Sequence, residues 1–140
     1  MGLDIMPLTQ VTHLGAMVGS TGTELSCFVA EVACRIVAVE LVDITGVTAH
    51  GTNYGTAMVT NKGTTGSGTT SVAARATDTV TTDIITAFKP WTVTVSTTEA
   101  SREVAAGESL AFKWTEAGSG QDLGGVTVAV HYAIGTGAGA

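Results

Sequence analysis

From Thr23 onward apolar and polar residues alternate with a period of two, the spacing of strands with one face in a core. Leu25, Cys27 and Val29 fall on one face. Across residues 35–45 both faces are mostly apolar: Val37, Val39 and Leu41 on one, Ile36, Ala38, Val42 and Ile44 on the other. That pattern predicts a strand covered on two sides. Residues 54–61 and 70–76 flank the glycine-rich stretch 63–68 and predict a hairpin with a longer loop. The second half alternates most cleanly. Trp91, Val93 and Val95 form one inward set, Leu110, Phe112 and Trp114 a second, and Val126, Val128, Val130, Tyr132 and Ile134 a third. A slip of one residue would expose every member, so these registers are expected to be fixed.

Two segments read differently. In residues 1–22 the apolar positions Leu3, Ile5, Met6, Leu8, Val11, Leu14, Met17 and Val18 are accompanied by a single charge, Asp4, and interrupted by Gly15, Gly19 and Gly22. This predicts an extended N-terminal arm over 1–22 that rests on its own domain or on a neighbour, followed by a β-sandwich domain over 23–140. Leu3, Ile5, Met6, Leu8 and Val11 are the candidate assembly contacts. In residues 77–88, Val80, Ile84 and Phe88 recur every four positions, as in a short helix, whereas the threonine content favours an irregular connection. Both readings stay open.

Seven or eight strands joined by glycine- and asparagine-containing turns predict an all-β, single-domain β-sandwich, with jelly-roll topology preferred over a barrel. The 140 residues suit one domain that buries roughly two-thirds of its unfolded surface. Only 13% of them are charged, which predicts an unusually neutral surface. Twelve acidic residues stand against six basic ones, and the basic residues are scattered singly. Nucleic acid and anionic membranes are therefore not expected partners. The most apolar stretch, 27–44, is interrupted by Glu31, Arg35, Glu40 and Asp43 and is not expected to span a bilayer as a helix. No secretory leader is evident at the N-terminus.

Candidate chemistry is sparse. His13, His50 and His131 are far apart and lack the spacing of metal ligands. Cys27 and Cys34 make no zinc pattern and are expected as two buried thiols, although a bridge between adjacent strands stays open. No nucleophile signature such as G-x-S-x-G occurs, and residues 118–124 lead into a strand where a phosphate loop would open a helix. Glu99 with Glu103, and Glu108 with Glu116, are the nearest carboxylate pairs for sugar cleavage, but carboxylates beside turns usually blunt edges. No catalytic residue, metal or cofactor is expected, and the protein is read as a non-enzyme.

The stretch 34–43 followed by Thr52, Asn53 and Tyr54 resembles the opening strands of small jelly-roll proteins that decorate tailed-bacteriophage capsids. Residues 104–110, with Gly107 and Leu110, resemble their glycine turn, and 125–132 resemble their last strand. The resemblance covers residues 32–134. It implies a structural virion protein on the capsid exterior, made in the host cytoplasm. It also implies a cement protein that bridges subunits of the major capsid protein and associates with itself, commonly as a trimer. No functional residue carries over, and the long N-terminus departs from the shortest members. The alternative reading is a fibre-tip or carbohydrate-binding sandwich, with loops 63–68 and 117–125 and Tyr54 as its ligand surface.

Overall fold

A computed structural model describes residues 7–135. Nine strands follow one another among them: β1 (Leu8–Met17), β2 (Glu24–Val29), β3 (Cys34–Asp43), β4 (Gly55–Gly63), β5 (Thr70–Ala76), β6 (Trp91–Val93), β7 (Glu103–Val104), β8 (Ser109–Glu116) and β9 (Leu123–Ile134). One sheet has the order β1-β9-β3-β6, with β7 pairing the start of β3, and the other has the order β2-β8-β4-β5. All pairings between these strands are antiparallel. The chain passes repeatedly from sheet to sheet, which makes this β-sandwich a jelly roll. A four-residue helix, α1 (Glu99–Arg102), precedes β7.

The inward sets read from the alternation build the core. Leu110, Phe112 and Trp114 of β8 and Val126, Val128 and Val130 of β9 are buried in one cluster with Val39, Leu41, Val59, Trp91 and Val93. The indole N–H of Trp114 donates to the Gln121 carbonyl at 2.9 Å, so the ring is buried without an orphaned donor. Gly55 lies against that ring; a Cβ there would overlap the six-membered ring of Trp114.

Three sequence expectations change. The chain over Leu8–Met17, expected within an extended arm, pairs along β9 as an edge strand; residues 1–6, with Leu3, Ile5 and Met6, lie outside the described residues. Strict alternation fails at bulges, because an extra residue in one strand turns the following side chains over, and two of them alter the expected faces. Between Ser26 and Phe28 the bulge buries Cys27 and Phe28 together and turns Val29 out. Between Ile36 and Ala38 it places Ile36 on the same buried face as Val39 and Leu41. β3 is consequently covered on one side only, with Ala38, Glu40 and Val42 half-buried on the other.

Residues 77–90 contain no helix. Arg75 organises them instead: its guanidinium donates to the Asp83 carboxylate at 2.8 Å and to the carbonyls of Thr82 and Thr92, while stacking over Trp91 at 4.4 Å. Those contacts hold the segment open, and Val80, Ile84 and Phe88 all face solvent. The turn before β8 is closed by Glu108, whose Oε1 accepts the Ala105 N–H at 2.6 Å. Gly107 sits there at φ +87° and donates to Ala30.

Candidate interaction surface

The sheet containing β1 turns one face to the core and the other outward. Its outward residues form three rows across the strands, set by the register: Thr9–His131–Ala38, Val11–Ala129–Glu40–Thr92 and His13–Thr127–Val42. The ionisable side chains in these rows are His13, His131 and Glu40, and hydrogen bonds hold each of them flat. Thr9 Oγ1 lies 2.8 Å from His131 Nδ1, His131 Nε2 lies 2.8 Å from Glu40 Oε1, and His13 Nδ1 lies 2.7 Å from Thr127 Oγ1. The remainder is alanine, valine and threonine. A low density of charged side chains is one feature of the centre of a protein–protein contact.

Of the sequence candidates, Leu8 and Val11 lie on this edge strand. Val11 is 58% exposed in the middle row, whereas Leu8, exposed at the end of the strand, pairs with Tyr132 and lies on the other side. Ile44 at the end of β3 extends the apolar surface at the opposite end of the sheet. Ala129, Thr127 and Val42, which share this outward face, were not among the sequence candidates. For Val42 the one signal was the mostly apolar character of both faces of β3, which reads as burial.

Thr9, His131 and Glu40 reproduce the connectivity of a nucleophile, a base and an orienting carboxylate. Their setting does not reproduce the rest of such a site. The trio lies on an open sheet face, among the ladder pairings of β1, β9 and β3. The Thr9–His131 contact, with His13–Thr127 beside it, links edge strand β1 to β9, and His131–Glu40 continues to β3.

The other singled-out residues have structural partners. His50 Nδ1 accepts the N–H groups of Thr52 and Asn53 at 3.1 and 2.9 Å, shaping the turn before β4. Glu99 and Glu103 flank the buried Arg35 at 3.1 and 3.6 Å. Glu108 serves its own turn, and Glu116 meets Asp122, both carboxylates accepting the Gly19 N–H at 3.2 Å. Cys27 and Cys34 are free, buried thiols; burial pushes Cys27 up to about 12 and raises Cys34 as well. Among the described residues no three His, Cys, Asp or Glu side chains gather as a metal ligand set. Tyr54, named for the carbohydrate alternative, is half-buried and uses its carbonyl to hold Ala117.

No protein-family model and no curated protein matches the sequence. Among solved structures, the chain is similar to a chain in the structure of infectious bursal disease virus, Gx strain, at 16% identity and a TM-score of 0.37, covering 96% of this chain and 38% of that one. The Gt strain structure gives 15% identity and a TM-score of 0.28, over 95% of this chain and 37% of that one. This chain thus spans less than two-fifths of either. The likeness to these viral chains is weak, and the functional reading rests on the molecule's own surface.

Proposed function

We propose that this protein is a structural virion component that binds the outside of a phage capsid and bridges subunits of the major capsid protein. The observation that carries the reading is the weakly charged outer face of the β1-β9-β3-β6 sheet, with exposed Val11 in its middle row. A sandwich whose core fills one side of that sheet has no internal use for valine and alanine on the other. A partner's surface would give them one. The sequence resemblance to tailed-phage decoration proteins supports the same role. The protein acts by contact and not by turnover, without a cofactor, alongside further copies of itself that form a trimer. A specific contact of this kind buries about 1,600 Å² in total, and binding several capsid subunits at once adds avidity. Net acidity, at −6, disfavours association with packaged DNA.

Cosedimentation with purified capsids lacking the protein tests the reading. Wild type is expected to bind to saturation at a fixed ratio to the capsid subunit. Val11→Asp and Ala129→Asp are expected to lose binding by at least tenfold while keeping a native circular dichroism spectrum. Absence of saturable binding by wild type, or binding indifferent to both charges, would contradict it.

A further inference from the structure

The connection between β5 and β6 carries an aromatic ring, Phe88, that stands exposed among the described residues. The Lys89 N–H donates to the Thr86 carbonyl at 3.1 Å, closing a four-residue turn with Phe88 in third place. Phe88 has φ +62°, the one positive φ of a non-glycine residue among the described residues. Turns that need this conformation at the third place take glycine or asparagine, because a Cβ there crowds the backbone. Phe88 is also 73% exposed, so burial of its ring does not offset the strain. The backbone is nevertheless held, with the Phe88 N–H donating to the Asp43 carbonyl at 2.8 Å. A strained residue that presents a large apolar ring to water points to a use outside its own chain.

The opposite end of the sandwich has a complementary feature. A cavity of about 240 Å³ opens there, with Leu8, Phe28, Val29, Val32, Tyr132 and Ile134 in its wall. Asp43, which holds Phe88, ends β3, whereas Cys34, also in the cavity wall, begins it. Ten residues of strand separate the two features by about 30 Å. An apolar cavity of about 150 Å³ is enough to admit benzene, so this one has room for a phenyl ring. Phe28 and Tyr132 meet edge to face at 5.1 Å, an arrangement that a third ring can join. Charge agrees as well: Lys89 follows Phe88, Glu31 stands in the cavity wall, and neither has an ion pair among the described residues.

We propose that Phe88 of one copy seats in this cavity of a second copy, with Lys89 of the first against Glu31 of the second. The two surfaces differ, so the contact is heterologous: each copy offers a ring and a cavity, and the series closes into a ring or continues as a filament. The inference bears on the self-association in the proposed function; its failure would count against the trimer but leaves the capsid-binding test untouched.

Sedimentation velocity on two complementary variants tests it. Phe88→Gly removes the ring and relieves the turn; Val32→Trp fills the cavity from an exposed position. Wild type is expected to associate, each variant alone to be monomeric, and their equimolar mixture to give one-to-one heterodimers and nothing larger. Lys89→Glu is expected to weaken wild-type association on the order of tenfold, and adding Glu31→Lys to restore it. The proposal is overturned if wild type stays monomeric to about 1 mM. It is equally overturned if Phe88→Gly associates like wild type, or if the mixture of variants remains monomeric.

Discussion

Gln10 holds Val29 with both ends of its side-chain amide: Nε2 donates to the Val29 carbonyl at 2.9 Å, and Oε1 accepts the Val29 N–H at 3.3 Å. The side chain thereby stands in for a neighbouring strand at the edge of β2. Thr12 Oγ1 adds a bond to the Cys27 carbonyl at 3.0 Å, so β1 closes the corner between the two sheets. A closed corner hides backbone groups that would otherwise template pairing with another chain. Gln10→Ala removes two hydrogen bonds from a half-buried place and is expected to destabilise the fold by about 1–2 kcal/mol. Urea unfolding of both proteins, with an unchanged slope, measures this.

The close approach of Gly55 to Trp114 makes a second expectation. Gly55→Ala sets a methyl group into the indole ring and is expected to cost about 1–3 kcal/mol through overpacking. Trp114→Ala, which empties the largest fully buried side chain, is expected to cost about 3–5 kcal/mol. The two changes share one volume. Combined, they are expected to cost less than their sum, and a double-mutant cycle reads the coupling.

Two carboxylates give opposite pH dependences. Hydrogen bonds from Arg75 hold Asp83 below its ordinary value, with Thr79 assisting and burial opposing. Its contribution to stability is present above the unfolded carboxylate pKa of about 3.9 and is lost as pH falls through the lower folded value. Glu116 is raised, first by its hydrogen bond with Asp122, then by burial and the Asp122 charge, against the Gly19 N–H. Its contribution is present below about pH 4.3 and is lost as pH rises through the raised folded value. Thermal unfolding is therefore expected to show Asp83→Asn less stable than wild type at pH 7 and close to it in strong acid. Glu116→Gln is expected to be more stable than wild type at pH 7.

Both cysteines are expected to resist chemistry that needs a thiolate. With Cys27 pushed up to about 12 and Cys34 raised, little thiolate is present at pH 8, and burial blocks approach. Mass spectrometry after brief iodoacetamide treatment is expected to show no adduct on native protein and two on protein unfolded in guanidinium.

The sandwich was legible where one face is buried and alternation runs unbroken, as along Leu110, Phe112 and Trp114, because register and hydrophobic pattern then agree. It was illegible where a polar side chain faces inward for a local purpose. In β1 the inward positions include Gln10 and Thr12, which reach the backbone of β2, while apolar Val11 faces out. That inverted pattern reads as an arm, not a strand. The bulges at Phe28 and Ala38 leave no mark in composition, since any of their residues could occupy either face. Of the face proposed as the contact surface, only part was legible. Val11 stood out as apolar in a nearly chargeless segment, but the links from His131 to Thr9 and Glu40 join residues 122 and 91 positions apart. Only the fold brings them together.

In the proposed function the outward face of the β1-β9-β3-β6 sheet rests on a capsid shell. Electron cryomicroscopy of purified virions tests it most directly. The expected image shows copies on the exterior at fixed positions, with Val11, Ala129 and Val42 covered by capsid subunits. Virions without the protein, or bound copies whose rows Val11–Ala129 and His13–Thr127 stand open to solvent, would contradict it.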